Sequence, residues 1–494
     1  MPPRWAFFSS AVMALLAVSL WQRATAPVRG EPVRSTRPNS IAVLPFANAS
    51  PDSAEDYLGY GVATELTRAL DHVPGLRVAA RSSTFGLKRR LGDPRLAGRR
   101  LNVATLLQGS IRRSGGRLRV TARLVDVEEG FDLWSETYER TPGDLLAIQD
   151  EIRKSVAATL RPQVLRDSAS EPARLTASVP AYDSYLAGKY LLDQLMPGSV
   201  PRAIPYLTRA VRLDTNFAQA YVALAEAYMH QGHAEALAPV VRVPMAQAAA
   251  ERALELDSTL SRPHVTLGTI RFSYDRNWRA AEAEFRRAIA LEPGSPDAYH
   301  AYSHLLLAVG RIDESLEASE RALQLSPAAP DLTQHLGWHY LHARQYGRAR
   351  ETLLRAVDLD STAWGPHLDM ALLEQVTGNY PEAEAHLRIP LQVAPQRPEV
   401  QVALGQVHAL SGRNEEALAR LEWLRDAAEE RYISPYLLAC LQGALGQRNQ
   451  AFVSLNRAVR DRSELVAYLR IDPRLDSLRT DRRFSRLLRQ IRLP

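Results

Sequence analysis

Cysteine and lysine are almost absent from this sequence of 494 residues. Cys440 is the single cysteine, so the chain can form no internal disulfide and no cysteine-based zinc site. The only lysines are Lys88, Lys154 and Lys189, and the formal net charge of +6 therefore rests on arginine. These shortages exclude a disulfide framework and a cysteine zinc module as sources of stability.

Sequence motifs of the common enzyme classes are missing too. The chain has no G-x-x-x-x-G-K-S/T phosphate loop, no G-x-S-x-G nucleophile elbow and no H-E-x-x-H zinc helix. Gly59-Tyr60-Gly61 is too short a glycine pattern to bind a dinucleotide. The sequence therefore predicts a protein that is not an enzyme, with no catalytic residues, no cofactor and no metal site.

Long apolar runs are absent except near the amino terminus. Residues 6–21 carry no charge and approach the length of a minimal membrane-spanning helix. Residues 24–26, Ala-Thr-Ala, resemble a signal-peptide cleavage site, but Pro27 follows directly and disfavours cleavage. We therefore predict a membrane anchor, or a signal segment, over residues 1–22, and an arginine- and proline-rich linker over residues 23–38.

The charges around this segment leave its orientation open. Arginines are more numerous after the apolar run than before it, which by the positive-inside rule keeps the rest of the chain in the cytoplasm. A signal-like start instead favours export. The prediction is a single-pass protein of the inner (cytoplasmic) membrane with most of the chain in the periplasm.

Residues 39–165 alternate strand and helix patterns. Residues 40–46 form a short apolar run that is typical of a buried strand. In residues 117–127 apolar and polar side chains alternate, which predicts a half-buried strand in a tight hairpin with its turn at Ser114-Gly115-Gly116. Helical periodicity follows in residues 145–160. The expected order is β-α-β-α-β-β-β-α in a small α+β domain.

Several short motifs in this domain resemble the TolB amino-terminal-like (FlgO-like) domain. They are Ile41-Ala42-Val43-Leu44-Pro45-Phe46, Gly59 with Gly61, Gly109-Ser110-Ile111-Arg112, Leu133-Trp134-Ser135-Glu136-Thr137-Tyr138 and Gln149-Asp150-Glu151-Ile152. The resemblance implies a domain that precedes helical repeats in bacterial proteins, often behind a membrane span. In such proteins a winged-helix, kinase or cyclase domain often stands on the amino-terminal side, where this chain has the predicted anchor.

Basic residues are concentrated between Arg77 and Arg123, where Asp93 is the only acid. The candidate basic surface consists of Arg112, Arg117, Arg119 and Arg123. Such a surface binds anionic lipid or nucleic acid in some proteins, whereas in others it is a solvated face paired with nearby glutamates. Nucleic acid is the least favoured of these alternatives, because no binding motif and no set of stacking aromatics accompanies the charge.

A period of 34 residues runs through the second half of the chain: it separates Pro293 from Pro327. Other residues recur in the same register, namely Pro395, the pairs Leu267-Gly268, Leu336-Gly337 and Leu404-Gly405, and Ala281, Ser315, Ala349, Ala383, Ala417 and Ala451. A fixed period of this length predicts stacked helix pairs that bury one face against their neighbours. The residues resemble the tetratricopeptide (TPR) repeat.

The resemblance divides residues 181–463 into eight repeats, between a linker over residues 166–180 and a capping segment over residues 464–494. The first three repeats carry insertions, and residues 231–244 are expected to form a loop. Pro390 replaces a small residue in the sixth repeat, so its second helix is expected to kink or end early. The predicted fold is a mostly α TPR solenoid preceded by a small α+β domain and an N-terminal membrane helix.

TPR proteins bind peptides or protein segments along a concave groove lined by the first helix of each repeat. Position in the repeat predicts the groove residues His300, His304, Gln334, Trp338, His342, Gln375 and Gln406. His335 and His339 are expected to point away from the groove, and all of these histidines are expected to be ordinary polar residues rather than zinc ligands. The occupant of the groove is left open between a partner of unknown identity, part of the same chain and a second copy of the chain.

The leading interpretation is a membrane-tethered scaffold or adaptor for protein–protein interaction at the bacterial cell envelope. An alternative is the sensory or regulatory half of a signalling system whose kinase, cyclase or DNA-binding output is on another chain. A lesser alternative is a nucleic-acid binder that uses the basic residues 77–123.

Overall fold

The computed structural model describes residues 39–71, 73–79, 84, 94–160, 175–194, 198–234 and 237–493. The predicted anchor and the linker that follows it lie outside these residues, as does most of the linker predicted over residues 166–180. Among the described helices, none combines the length and apolar character needed to cross a membrane. The described chain is mostly helical, with a small α+β region ahead of a helical solenoid.

One mixed sheet forms the centre of the α+β region. Its strands are β1 (Ser40–Val43), β2 (Ala47–Asn48), β3 (Arg77–Val78), β4 (Thr105–Ser114), β5 (Arg117–Asp126) and β6 (Asp132–Arg140). The sheet order is β3-β1-β4-β5-β6; β1 runs parallel to β3 and β4, and β4 to β6 form an antiparallel meander. The two-residue β2, which pairs with β4, is the one strand that the sequence analysis did not predict.

The β4–β5 hairpin turns at the two predicted glycines, while Ser114, which was expected in the turn, is the last residue of β4. Ser114 pairs with Arg117, so Gly115 and Gly116 form a two-residue loop, and both have positive φ angles (57° and 75°). Two successive positive φ angles are what a type I′ turn requires, and glycine adopts them without steric cost. The turn therefore fixes which face of β5 is buried.

Three helices cover the two faces of the sheet: α1 (Asp56–Asp71), α2 (Pro94–Leu101) and α3 (Leu145–Leu160). The apolar side chains of α1 and α3 join the core formed by Ile41, Val43 and Leu107. α2 packs on the opposite face, against Ala42 and Leu106. Because β1 contributes to both clusters, its side chains are buried on both sides of the sheet.

From Val179 onwards the described chain is a succession of helices. They are α4 Val179–Gln194, α5 Ser199–Leu213, α6 Ala218–Ala234, α7 Pro239–Leu256, α8 Ser261–Ser273, α9 Trp278–Leu291, α10 Pro296–Ala308, α11 Ile312–Leu325, α12 Pro330–His342, α13 Tyr346–Leu359, α14 Trp364–Val376, α15 Tyr380–His386, α16 Arg388–Val393, α17 Pro398–Leu410, α18 Asn414–Glu430, α19 Pro435–Ala444 and α20 Arg448–Arg460. Consecutive helices pack as pairs, and within the described residues there are eight such pairs, from α4–α5 to α19–α20.

The periodic prolines mark the turns between pairs. Pro293, Pro327 and Pro395 follow the second helices of the third, fourth and sixth pairs by two residues. A residue without a backbone N–H cannot continue the helix, so it suits this position. The 34-residue period is thus the spacing of one helix pair plus its turn.

The second helix of the sixth pair is interrupted, as Pro390 predicts. α15 ends at His386 and α16 begins at Arg388, with Leu387 between them. Pro390 cannot donate a hydrogen bond to the carbonyl of His386, four residues earlier, and its ring crowds that carbonyl. The sequence-based expectation of a kink or an early end is confirmed.

The insertion in the second pair is not the loop that the sequence analysis expected. Residues 231–234 extend α6 and residues 239–244 begin α7. The extra residues therefore lengthen two helices. Proline in the first turn of a helix lacks only an N–H that would be unsatisfied anyway, so Pro239 is compatible with this start.

The first helix pair packs directly on the α+β region. The Tyr57 hydroxyl of α1 donates to Asp183 of α4 at 2.8 Å, and Tyr185 of α4 donates to Glu65 of α1 at 3.0 Å. Tyr182 adds a bond to Gln149 of α3 at 2.7 Å. One apolar core continues from the sheet through α4 to the second pair. This junction therefore combines a continuous apolar core with three hydrogen bonds donated by tyrosine hydroxyls.

After α20 the chain continues as the C-terminal segment (residues 464–492). It contains two 3-10 turns, Glu464–Tyr468 and Pro473–Leu478, and the short helix α21 (Arg482–Gln490). Phe484 and Leu487 of α21 join the core of the eighth pair, as expected of a capping segment. The 3-10 turns, in contrast, also reach the earlier helix pairs.

Candidate functional site

The C-terminal segment lies on the inner face of the solenoid, defined here as the concave face formed by the first helices of the pairs. Tyr468 is at the centre of this contact. Its ring centroid is 5.7 Å from that of Phe272 on α8 and 5.2 Å from that of Trp338 on α12. Its hydroxyl lies 3.2 Å from Nδ1 of His304 on α10. The concave face of the third to fifth pairs is therefore covered by the chain itself.

Charged and polar contacts hold this segment at both ends. Glu464 forms an ion pair with Arg242, a guanidinium that is almost completely buried on α7. Asp476 pairs with Arg344 at 2.8 Å, immediately after α12. Near the end of the segment, the Trp278 indole N–H donates to the carbonyl of Arg492 at 2.8 Å. The segment thus contacts the second to fifth pairs as well as the eighth.

Asp472 is a buried charge between the two 3-10 turns. Its side chain accepts hydrogen bonds from the Tyr436 hydroxyl at 2.9 Å and from Arg474 at 2.7 Å. Burial by itself would raise the pKa of this carboxyl, but the Arg474 guanidinium outweighs burial and lowers the pKa to about 2. Asp472 therefore stays ionised and holds the segment to the first helix of the eighth pair.

A cluster of histidines lies beneath Tyr468. Nε2 of His304 is 3.0 Å from Nε2 of His300, one helical turn away on α10. His335 on α12 is close to both: its ring centroid is 4.5 Å from that of His300 and 5.2 Å from that of His304. The ligand nitrogens of all three residues lie within 4.8 Å of one another.

Burial disfavours the protonated form of His300 and of His304. Loss of solvent lowers the pKa of His300, and it lowers the pKa of His304 further because neighbouring histidines add repulsion. His342, which stacks on Trp338 with centroids 3.8 Å apart, has its pKa lowered to about 4 by burial. Neutral imidazole offers one nitrogen as a donor and the other as an acceptor or metal ligand.

One histidine is not where the repeat position predicts. His335 was expected to point away from the groove, yet its ring lies beside those of His300 and His304. His339, for which the same was expected, is buried between repeats, with its ring 4.7 Å from that of His304. Nδ1 of the fully buried His339 is 2.8 Å from the Ser315 hydroxyl of α11.

The predicted groove residues divide into two sets. His300, His304, Trp338 and His342 are gathered beneath Tyr468. The three glutamines are elsewhere: Gln334 donates to Asp369 at 2.8 Å, Gln406 donates to the carbonyl of Cys440 at 3.2 Å, and Gln375 is buried on α14. Gln406 is only 1% exposed, because it bonds to the next helix pair across a close contact.

The candidate basic surface lies on the outward face of the β4–β6 meander. Arg119 pairs with Glu139 at 3.4 Å and Arg123 pairs with Asp132 at 3.8 Å, both across to β6. Arg112 stands opposite Arg119 in the register, and Arg117 closes the hairpin next to the turn. Two of the four arginines therefore have carboxylate partners on the neighbouring strand.

Comparison with known protein families identifies the repeats. The tetratricopeptide repeat model TPR_16 matches residues 270–330, 302–363 and 368–431. The chain contains TPR repeats. The matched residues span the third to seventh helix pairs, which include every helix of the histidine cluster. TPR repeats build extended concave surfaces that bind protein or peptide partners.

Two curated relatives share part of the chain. A protein named putative adenylate cyclase 3 of Rhizobium meliloti is 33% identical over 186 residues, which are 37% of this chain and 32% of that protein. The transcriptional regulator HilA of Salmonella typhimurium is 30% identical over 152 residues, which are 30% of this chain and 27% of HilA. The chain thus spans less than a third of the length of either relative.

Solved structures of TPR proteins resemble parts of the solenoid. A tetratricopeptide repeat protein from Parabacteroides merdae is 14% identical, with a TM-score of 0.38, and the match covers 56% of this chain and 98% of that protein.

The repeat pattern does not identify the residues that cover the TPR concave face. Tyr468, Glu464 and Asp476 lie outside the repeat pattern, and Arg242 lies in an insertion that interrupts it. The ion pairs of the acidic residues in the C-terminal segment could not be predicted, because the spacing of these residues does not identify a distant arginine as the partner. The 34-residue register specifies which residues face inward, but not what lies opposite them.

Proposed function

We propose that this chain is a non-enzymatic scaffold or adaptor whose TPR concave face binds a protein segment. The observation that supports this proposal is the contact around Tyr468: the face already binds a polypeptide segment through an aromatic centre with ion pairs on either side. A central aromatic in a half-buried pocket with charged contacts around it is typical of protein interfaces. The partner is a protein segment that carries an aromatic residue between acidic residues.

Binding of a partner here requires the C-terminal segment to move. Tyr468 occupies the space between Phe272 and Trp338, so two segments cannot use it together. The chain's own segment acts as an intramolecular competitor, and it lowers the apparent affinity for the partner by the fraction of molecules in which the face is open. Weakening the segment's contacts therefore increases partner binding.

The test compares three forms of the full chain in crosslinked cells. The first is unchanged. The second carries Glu464→Arg and Asp476→Arg, which replace attraction by repulsion at both ion pairs. The third adds Trp338→Ala to the second. We expect the same crosslinked partner to be recovered in larger amount with the second form and to be lost with the third.

Trp423→Ala is the matched control, because Trp423 is a partly buried tryptophan on α18 of the seventh pair, whereas the ring contacts of Tyr468 are with the third to fifth pairs. If the Trp338→Ala form retains every partner of the second form, the concave face is not the binding surface and the proposal is wrong.

The second part of the proposal concerns the location of the chain in the cell. We propose that residues 1–22 tether the chain to the inner membrane, that the bulk of the chain is periplasmic, and that residues 39–165 act as a TolB-like domain next to the bilayer. The uncharged run of residues 6–21 and the motifs of the α+β region support this. Reporter fusions after residue 170 test it: an active cytoplasmic reporter at that position would contradict the periplasmic location.

A second candidate function is the sensory or regulatory half of a signalling system. The names of the two relatives, a putative adenylate cyclase and a transcriptional regulator, favour it. In this case the crosslinked partner is itself a kinase, a cyclase or a DNA-binding protein, whereas a general scaffold recovers partners of other classes. Mass spectrometry of the partner lost on Trp338→Ala distinguishes the two.

A further inference from the structure

Three imidazoles from two neighbouring TPR repeats converge under the C-terminal segment. His300 and His304 are spaced i, i+4 on α10, so they lie on one face of that helix, and His335 approaches them from α12. We propose that His300, His304 and His335 form a binding site for one divalent late transition-metal ion, with zinc as the representative ion. Imidazole nitrogen is a preferred ligand for zinc, copper and nickel.

The spacing of the nitrogens fits such an ion. Two imidazole nitrogens at about 2.0–2.1 Å from a tetrahedral zinc are about 3.3 Å apart. Nε2 of His300 and Nε2 of His304 are 3.0 Å apart, so both can bind the ion after a small rotation of either ring. His335 completes the set, because one ring nitrogen from each of the three histidines lies within 4.8 Å of the others.

Tyr468 can accept the hydrogen bond that orients a metal-binding histidine. When Nε2 of a histidine binds a metal, its Nδ1 carries the proton and donates it to an oxygen acceptor, which fixes the ring. The Tyr468 hydroxyl lies 3.2 Å from Nδ1 of His304 and can accept this bond. The same contact joins the metal site to the C-terminal segment.

A carboxylate lies near the three histidines. Asp297, in the first turn of α10, acts electrostatically on His300 and places negative charge nearby. His339 is not a ligand, because its ring nitrogens face the hydroxyls of Ser315 and Ser303.

The site has three protein ligands, which leaves one tetrahedral position open. Water, or a carboxylate that moves inward, completes the coordination in sites of this type. The metal would bridge the fourth and fifth repeats and order His304 against Tyr468, so it adds a contact to the C-terminal segment that the proposed scaffold function does not require.

The experiment measures metal binding by the full chain, purified without a histidine tag and treated with a chelator. We expect one Zn²⁺ per chain in equilibrium dialysis, and Co²⁺ in its place to give the visible absorption of a tetrahedral nitrogen site. His304→Gln removes the central ligand and should abolish stoichiometric binding. Tyr468→Phe removes only the hydroxyl and should weaken binding about tenfold while leaving the stoichiometry at one ion.

The matched control is the double variant His367→Gln and His386→Gln, which removes another neighbouring histidine pair, with ring centroids 5.9 Å apart, and should bind zinc as the unchanged chain does. Circular dichroism confirms that each variant is folded. The proposal is overturned if the unchanged chain binds no zinc at micromolar concentration, or if folded His304→Gln binds it as tightly as the unchanged chain.

Discussion

At the scale of single residues, the pKa values of two buried aspartates near the concave face are shifted in opposite directions. Asp472 contacts Arg474 at 2.7 Å, and its pKa is lowered to about 2 although burial opposes this shift. Asp369 on α14 accepts a bond from the Gln334 amide at 2.8 Å, and burial raises its pKa to about 7. A guanidinium in contact compensates for the lost solvation of a carboxylate, whereas one neutral amide does not.

The raised pKa of Asp369 predicts that the stability of the chain depends on pH. Between about pH 4 and pH 7 this carboxyl is protonated in the folded chain but ionised in the unfolded chain, where its pKa is the usual 3.8. The free energy of unfolding therefore falls as pH rises through this window. Asparagine has no proton to lose. Asp369→Asn should therefore gain free energy of unfolding relative to the unchanged chain as pH rises over this window, by on the order of 4 kcal/mol.

Urea unfolding at pH 5 and at pH 8 samples the larger part of this window, and the gain of Asp369→Asn between these two pH values should be about 2–3 kcal/mol. Asp358→Asn, which changes an exposed aspartate on α13, is the control and should show no such dependence. If Asp369→Asn changes the free energy of unfolding by the same amount at both pH values, Asp369 is not protonated in the folded chain.

The ion pair between Arg242 and Glu464 gives a second prediction at this scale. The Arg242 side chain is 2% exposed, so Glu464→Gln leaves a buried charge without its counter-charge. Loss of one partner of a buried pair costs about 3–5 kcal/mol, while replacement of both by apolar residues costs far less. Glu464→Gln should therefore destabilise the chain more than the double variant Arg242→Met with Glu464→Leu, as measured by urea unfolding.

The alternative result is also informative. If the double variant is as unstable as Glu464→Gln, the packing around the pair, rather than its charge, holds the C-terminal segment at this end.

At the scale of elements, close approach of backbones decides where glycine is required. A Cβ on Gly59 of α1 would lie 2.1 Å from the carbonyl oxygen of Phe46, which is backbone and cannot rotate away. A Cβ on Gly443 of α19 would meet its nearest neighbour at 3.6 Å, an ordinary contact distance. Glycine is therefore required by steric contact in α1. In α19 no contact requires it, and it only lowers the stability of the helix relative to alanine.

The two glycines predict opposite effects of the same substitution. Gly59→Ala should destabilise the α+β region by about 1–3 kcal/mol, because α1 must move away from the chain at Phe46. Gly443→Ala should be neutral or stabilise by up to about 1 kcal/mol, since alanine restricts the unfolded chain. Thermal unfolding of both variants checks the signs; destabilisation by Gly443→Ala would contradict the contact geometry at α19.

At the scale of the whole molecule, the C-terminal segment closes the solenoid on itself. Its contacts reach back to Arg242, Phe272, His304 and Trp338, on the second to fifth repeats. A TPR solenoid otherwise has contacts only between adjacent repeats. Closure therefore couples repeats that a linear array would leave independent.

Amide hydrogen exchange should reveal this coupling. In the Glu464→Arg and Asp476→Arg variant, amides of residues 464–478 should exchange faster, and so should those of α10 and α12, because their inner faces lose a packing partner. About tenfold faster exchange corresponds to about 1.4 kcal/mol of lost protection. The Trp423→Ala variant is the control. If α10 and α12 keep their protection when the segment loosens, the segment does not contribute to their stability.

The sequence by itself determined the features that depend on local periodicity. Patterns of 2, 3.6 or 34 residues predict the order of strands and helices in the α+β region apart from the two-residue β2. They also predict the hairpin turn at the paired glycines, the helix break near Pro390 and the spacing of the helix pairs. These patterns reflect steric and hydrogen-bonding rules that act within a few residues or between adjacent repeats.

Only the tertiary structure decided what covers the concave face and which histidines meet. Tyr468 and His304 are 164 positions apart, and Arg242 and Glu464 are 222 positions apart. Whether such residues touch depends on the curvature accumulated over several repeats. A small rotation at each interface adds up along the solenoid, and no single repeat encodes that sum. The sequence specified the helices, and their packing brought the C-terminal segment onto the inner face.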